Sequence, residues 1–532
     1  MPSDISFPSG LHWWQDAVIY EIPLISFQDS DSDGRGDIGG LLKRLDYLQW
    51  LGVDAVWLTP IYPTPFRDFG YDISDYCGVD PAYGSSEDFD RLVAGLHGAG
   101  IRLIMDLVPN HTAAEHPWFR ESCTSRDNPK ADWYLWADPA GNGGPPNNWL
   151  SRFGGSAWHW HRAREQYYYH SFLPEQPDLN WRNPEVRAAI SEVMRYWLER
   201  GVDGFRVDAS AVLIKDALLR DNPPDVEADA NTPPPQRYTP VFTDDRPETM
   251  ACIETLRSVI DEYDRKLLCG EVQGKTDRIG HFYGDGRPRL HLPLNFALLD
   301  SQWSAFALQA TIDAYYNALP EHAWPVWVIG GHDKQRVASK IGHAQARVLA
   351  MMLFTLRGTP IFYMGDELGM ERVRIPDDRV RDPFAIKVKG FDLGRDPERA
   401  PLRWDDSPHG GFTKGEPWLP QGRPEFNVKS LRDEPNSILN LYRELMALRR
   451  ATPCLMRGDY QPIRARDDVL AYRRSLGSEQ ILVLLNIAGE PRRWDCGGTG
   501  LCLLSTDPAR QRGPLDRAIQ LQGNEGMIIA TQ

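Results

Sequence analysis

The chain has 532 residues, more than one ordinary domain uses, and its 42% hydrophobic and 25% charged residues exclude a disordered or fibrous protein. A formal net charge of -15, from 59 basic and 74 acidic side chains with no basic tract, argues against nucleic acid or an anionic membrane surface as partner. A neutral or cationic small molecule is the expected ligand.

The N-terminal MPSDISFPSGLHWW lacks the basic start and apolar centre of a leader, and no apolar run reaches the length of about 18 residues that a membrane span needs. Cys77, Cys123, Cys252, Cys269, Cys454, Cys496 and Cys502 occur singly, so neither a zinc site nor a disulfide framework is expected. A soluble cytoplasmic protein is the reading. Monomer and homodimer both stay open.

Eight β-rich runs are predicted in chain order: Val18 to Ile22, Ala55 to Thr59, Ile101 to Val108, Gly204 to Val207, Lys266 to Gly270, Leu290 to Asn295, Val326 to Ile329 and Pro360 to Met364. Helical periodicity fills the gaps at Gly40 to Leu51, Ser86 to Ala99, Pro184 to Arg200, Thr249 to Tyr263 and Gln345 to Leu356. Eightfold alternation predicts an α/β chain folded as a (β/α)8 TIM barrel, with a doubly wound open sheet as the rival. The aromatic, Gly/Asn/Pro-rich stretch after the third run predicts an inserted subdomain, and the segments 221–240 and 376–424 predict long irregular loops. After a last helix, Ser437 to Leu448, short alternating runs predict a C-terminal antiparallel β domain. The expected division is barrel 1–109, insertion 110–180, barrel 181–453 and β domain 454–532.

In such a barrel the strand C-termini point at the active site. Four carboxylates stand at or just past predicted strand ends: Asp106, Asp208, Glu271 and Asp333. Any one of them could cap a helix or face solvent. Four converging beside an aromatic cleft suit glycosidic cleavage, which needs a nucleophile and a proton donor flanking one carbon. Arg206, two residues before Asp208 and on the same strand face, can hold that carboxylate ionised and oriented. Separately, Asp29, Asp31, Asp33 and Asp37 with Gly34 and Gly36 place oxygens at alternate positions, as in the first part of a calcium loop. Leu41 and Leu42 stand where such a loop would end in Glu, and a solvated acidic turn is an equal alternative on these residues alone.

The segments DLVPNH (106–111), QPDLN (176–180), GFRVDAS (204–210), GEV (270–272) and GGHD (330–333) resemble the ordered signature regions of the α-amylase family of glycoside hydrolases, family 13. With DSDSDGRGD (29–37), DFGYDISDY (68–76) and GRDPERAPLRW (394–404), the resemblance spans nearly the whole chain and is closest to the α-glucosidase and oligo-1,6-glucosidase branch. It implies Asp208 as nucleophile, Glu271 as acid/base and Asp333 as the carboxylate that stabilises the transition state. It implies His111 and His332 as partners of sugar hydroxyls, and Asp68 with Arg399 as a pair that binds the terminal 4-hydroxyl and closes the pocket. Arg381, Arg395 and Arg403 are nearby substitutes for Arg399, and Tyr71 and Phe172 would complete the wall. It also implies a structural Ca2+ or Mg2+ at Asp29, Asp31, Asp33, Arg35 and Asp37. Two places depart from the family: EIPLISF (21–27) has Pro23 and Ile25 for the usual Tyr and Arg, and Gly331 stands for the usual Asn.

The activity implied is that of a retaining, exo-acting α-glucosidase on short oligosaccharides, with transglucosylation. Ala209, directly after the implied nucleophile, favours α-1,4 over α-1,6 bonds, which a Val there would accompany. A glucosyl isomerase such as a trehalose synthase shares these motifs, and a noncatalytic glucosidase-like binding domain is the alternative of another class.

Overall fold

Strand residues alternate between two faces, and in this chain both faces are buried, so the runs close on one another. The computed structural model describes residues 12–272, 276–284 and 286–531, which leaves most of the segment read for a leader outside the described residues. Strands β1 (Ile19–Ile22), β2 (Ala55–Leu58) and β3 (Arg102–Leu107) come first. The inserted strands β4 (Trp136–Ala137), β5 (Trp158–His161) and β6 (Gln166–Tyr169) follow, and then β7 (Gly204–Val207), β8 (Leu267–Glu271), β9 (Leu292–Leu294), β10 (Val326–Val328) and β11 (Thr359–Tyr363). Every pairing among β1–β3 and β7–β11 is parallel, in the order β10-β11-β1-β2-β3-β7-β8-β9. The end strands β9 and β10 lie side by side and close the (β/α)8 barrel.

Alternation along these strands decides what the barrel encloses. Ile19, Ala55, Ile104, Leu267, Cys269, Leu292, Val326 and Ile361 form one inner core, floored by Trp13 and Trp14. Their neighbours Tyr20, Val56, Leu103, Phe205, Leu268, Trp327 and Phe362 belong to the larger core under the helices. Two residues further along the inner face the composition turns from apolar to charged. Glu21, Asp106, Arg206 and Glu271 stand at the C-terminal ends, and Asp208 continues the face of Arg206.

The insertion is a small antiparallel sheet of order β4-β6-β5, fastened over the barrel mouth by bridges His111–Asp178 and Tyr134–Leu179. The C-terminal unit contains β12 (Asp459–Arg466), β13 (Val469–Leu476), β14 (Glu479–Asn486), β15 (Arg492–Asp495), β16 (Gly500–Ser505), β17 (Gly513–Leu515), β18 (Ala518–Leu521) and β19 (Gly526–Thr531). Six of these pair antiparallel in the order β12-β13-β14-β19-β16-β17, and β15 pairs with β18. Arg474 of β13 ties this unit to the barrel, since its guanidinium donates to the carbonyls of Thr355, Leu455 and Gly458.

Two expectations need correction. The helix expected over Gly40 to Leu51 is two, Ile38–Leu42 and Leu45–Leu51, because Arg44 leaves helical geometry to donate to Gln28 and to lie 4.1 Å over Trp404. The helix expected at Gln345 starts at Val337 and is kinked at Gly342, whose φ is 79°. Strand β12 escapes a hydrophobic pattern because it is a largely exposed edge rich in Asp, Arg and Gln. Among the described residues no helix is long and apolar enough to cross a membrane.

Candidate active site

At the C-terminal end of the barrel three carboxylates share one guanidinium. Arg206 Nη1 donates to Asp106 Oδ1 at 2.9 Å and to Asp208 Oδ1 at 2.7 Å, and Nη2 donates to Glu271 Oε2 at 2.8 Å. The Trp57 ring lies 5.0 Å from the guanidinium, and its Nε1 donates to Asp106 Oδ2 at 3.1 Å. Burial opposes the charge on Arg206, but Asp106, Asp208 and Glu271 outweigh it and raise its pKa well above the ordinary value.

The acids respond differently from the simple expectation. Burial pushes the Asp208 carboxyl up to about 8; Arg206 pulls against this, while Glu271 and Asp106 add to it. Arg206 is placed as expected, yet one cation divided among three carboxylates does not by itself keep Asp208 ionised. The balance at Asp208 thus leans toward the protonated form, and the acids that share the guanidinium influence one another's charge. Ala209, next in the chain, adopts a left-handed conformation (φ 47°) that turns the backbone sharply away after Asp208.

A second ring of contacts forms the rim. Asp333 accepts from Arg399 Nη2 and from Arg395 Nη1 at 3.3 Å, and its side chain is 41% exposed, facing the open end. Burial disfavours its charge, but His332, Arg395 and Arg399 hold its pKa well below the usual carboxylate range. His332 Nε2 lies 2.9 Å from the Tyr71 hydroxyl, which donates to Asp106 Oδ2 at 3.1 Å, and the two rings are stacked. His111 Nε2 lies 3.1 Å from both the Tyr71 carbonyl oxygen and Gln176 Nε2. Gln176 in turn donates to Asp68 Oδ2 at 3.2 Å, and Phe172 packs 5.1 Å from the His111 ring.

The residues anticipated for the site thus fall into one connected set. The pairing within it differs. Asp68 Oδ1 is bonded by Arg395 Nη2 at 2.8 Å, and the same nitrogen reaches Asp382 Oδ1 at 2.8 Å, whereas Arg399 is committed to Asp333 and to the His332 carbonyl. Arg399 is fixed there by Phe69, 4.0 Å below its guanidinium, and by Ser26 Oγ donating to its carbonyl at 2.5 Å. Ser26 belongs to the divergent EIPLISF segment, whose Ile25 is buried, so that departure lies beneath the rim. Arg381 and Arg403 do not take this place: Arg403 bonds Gln421, and Arg381 offers Asp396 only its backbone N–H. Gln176, Trp57 and Glu21 were not anticipated as site residues. Glu21 was legible from its place on the inner face of β1.

The acidic loop brings carboxylate oxygens of Asp29, Asp31 and Asp37 within 4.8 Å of one another, but not those of Asp33, which accepts from Arg35 N at 2.7 Å. The Arg35 side chain turns away to Phe66. Burial works against the Asp29 charge, but Thr413 and the backbone N–H groups of Gly34, Ser32 and Asp31 win and lower its pKa. Gly34 is required here, since its φ is 92° and a Cβ would lie 2.0 Å from the Glu416 carbonyl oxygen. Converging carboxylate oxygens are hard donors of the kind Ca2+ and Mg2+ take, so the residues present fit such an ion.

Residues 22–458 match the α-amylase catalytic-domain family. A probable α-glucosidase of Rhizobium meliloti (strain 1021) is 41% identical over 496 residues, covering 90% of each chain. The crystal structure of the α-glucosyl transfer enzyme XgtA superposes with a TM-score of 0.91 at 38% identity, covering 98% of this chain and all of that one. Trehalulose synthase MutB from Pseudomonas mesoacidophila MX-45 gives 0.90 at 33%, with the same coverage.

The double engagement of Arg395 yields a stability test. Arg395→Met leaves Asp68 and Asp382 buried without their cation, at an expected cost of about 3–5 kcal/mol near pH 7. Burial opposes the charge on Asp382, but Arg395 depresses its pKa, as it helps to do for Asp333. The stability these acids contribute is present above their unfolded pKa and lost as pH falls through the folded one, so the deficit of the variant should shrink below about pH 4. Thermal unfolding of both proteins at pH 7 and below pH 4 checks this; an equal deficit at both contradicts it.

Proposed function

Because the chain belongs to the α-amylase family and is a glycoside hydrolase, we propose that it is a retaining, exo-acting α-glucosidase that removes terminal glucose from short α-glucosides, α-1,4 bonds in preference. The observation that carries this reading is that Asp208 and Glu271 bond adjacent nitrogens of one guanidinium, at 2.7 and 2.8 Å. Such close carboxyls suit the separation of about 5–5.5 Å in retaining enzymes better than the roughly 6.5–9.5 Å that leaves room for an inverting water.

Asp208 attacks the anomeric carbon to form a glucosyl ester as the bond to the leaving oxygen breaks and Glu271 protonates that oxygen. Glu271 then takes a proton from water, or from a second sugar hydroxyl in transglucosylation, whose oxygen attacks the same carbon and displaces the Asp208 carboxylate, giving glucose or a new glucoside with the configuration retained. Asp333, ionised at the rim, stabilises the positive charge that develops on the sugar ring. His111, His332, Tyr71 and Phe172 shape the glucose site. Asp68, bonded to Arg395, and Arg399, bonded to Asp333, form its closed end in place of a direct Asp68–Arg399 pair.

Isomerisation is the second reading, favoured by the likeness to trehalulose synthase. It differs in whether the fructosyl or glucosyl acceptor stays bound while water is kept out. Phe153 of the insertion meets Phe384 of the loop after β11 edge to face at 5.1 Å, a contact across the two loops that would do the excluding.

We place the enzyme in the cytoplasm, in keeping with its seven unpaired cysteines. The loop of Asp29, Asp31 and Asp37, with Asp33 and the backbone of Arg35 alongside, is proposed to hold a structural Ca2+ or Mg2+ that supports the fold and takes no part in the chemistry.

Two outcomes follow. From maltose, maltotriose and starch, the oligosaccharides should be hydrolysed far faster than the polymer, with glucose as first product, and maltose should be cleaved better than isomaltose. Mixed maltooligosaccharides released early from starch contradict the closed pocket, and isomeric disaccharides as the main product favour the second reading. Chelation by EDTA should lower the melting temperature, with recovery on adding Ca2+ or Mg2+; a melting temperature indifferent to both removes the metal from the account.

A further inference from the structure

Glu21 is a buried acid inside the barrel mouth that the reaction above does not use. It is 1% exposed, at the C-terminal end of β1, and its Oε1 lies 2.5 Å from His332 Nδ1 and accepts from the His332 backbone N–H at 3.2 Å. Its Oε2 is buried with no hydrogen-bond partner, and a Cβ at Gly331 would come within only 3.5 Å of it. A buried carboxylate with one oxygen unpaired is costly unless a cation sits against it, and His332 is the group in contact.

The groups around His332 define what its charge would do. Trp57 of β2 stands edge-on at 6.2 Å, Tyr71 is stacked on it, and Asp333 Oδ1 lies 3.5 Å from Nε2. Arg399 donates to its carbonyl, Tyr363 of β11 is the ionisable neighbour of Glu21, and Asp106 with Arg206 lies one contact beyond Tyr71. Burial and Arg399 oppose a charge on the imidazole, while Asp333 and Glu21 favour it and prevail.

The proton on Nε2 decides the direction of a relay. When both ring nitrogens carry protons, Nδ1–H donates to Glu21 and Nε2–H to the Tyr71 oxygen, and the Tyr71 hydroxyl is free to donate to Asp106. When the ring is neutral with its proton on Nδ1, Nε2 becomes an acceptor and competes for the Tyr71 proton. Asp106 then loses a donor and leans more on Arg206, the cation it shares with Asp208 and Glu271.

We propose that Glu21 is a positioning residue of this glucosidase site: it holds His332 as an imidazolium, which directs the Tyr71 proton to Asp106 and so lightens the share of Arg206 that Asp106 draws from the two reacting carboxylates. The inference rests on the function proposed above for its kinetic consequence, though not for the state of His332 itself. The substitution Glu21→Gln keeps an acceptor for Nδ1–H and removes the charge.

The test is NMR of the full-length enzyme with 13C-labelled histidine, His332 being assigned by the signal missing from His332→Gln, together with the pH profile of kcat on maltose. In the wild type His332 should stay doubly protonated above the range in which an ordinary histidine titrates. In Glu21→Gln its titration, and the basic limb of kcat with it, should move down by about one pH unit or more. A wild-type His332 that titrates at or below about pH 6.5, or a Glu21→Gln protein in which neither the titration nor the limb moves, overturns the proposal. The wild-type titration decides even if the variant does not fold. Should the wild type turn over no α-glucoside, the function proposed above fails while the NMR titration still tests the Glu21–His332 pair.

Discussion

A single buried cation divided among three carboxylates is the constraint on which the site depends. Arg206, Asp106, Asp208 and Glu271 come from three neighbouring strands, and they meet only because β3, β7 and β8 are paired in register, Asp106 opposite Arg206 and Arg206 opposite Cys269. Removing the guanidinium would leave several buried acids unpaired, and a second cation beside them would weaken the upward push on the Asp208 carboxyl. The barrel supplies this balance by changing the composition of one strand face over two residues, from the apolar Ile104 and Cys269 to the charged Asp106 and Glu271.

The rim elaborates the same electrostatics outward. Arg395 and Arg399 hold Asp333 ionised where it is partly exposed, while burial raises the Asp208 carboxyl against the pull of Arg206. Carboxylates a few residues from one another in space are thereby driven to different protonation states, which is how acid and base roles separate in one site. The long loop after β11 carries both arginines, and the insertion after β3 brings Phe153 to 5.1 Å from the Arg395 guanidinium and Gln176 to Asp68, so the elements that interrupt the barrel pattern meet at its mouth.

Much of this was legible in the sequence. The eight strand runs carry buried residues on both faces and stand close to their observed limits. The carboxylates at their ends were recognisable by position and by resemblance to signature regions. What was not legible has physical causes. The choice between Arg395 and Arg399 depends on where a long, irregular loop places two guanidiniums four residues apart, and no periodicity constrains such a loop. Arg44 breaks a helix that its neighbours favour because a distant Trp404 and Gln28 bind it better than the helix does. The protonation of Asp208 depends on burial and on the sum of charges around it, and an Arg two residues away gave only one part of that sum.

Covalent labelling bears most directly on the central claim that Asp208, one of the two acids bonded to Arg206 Nη1, is the nucleophile. An activated 5-fluoro-glucosyl fluoride, whose fluorine slows breakdown of the glycosyl-enzyme, would be incubated with the enzyme, followed by peptic digestion and mass spectrometry. The account predicts one fluoroglucosyl group per chain, on the peptide that contains Asp208 and on that residue. Label on Glu271, Asp333 or Asp106, or turnover of maltose with no label trapped under conditions that inactivate the enzyme, would contradict it.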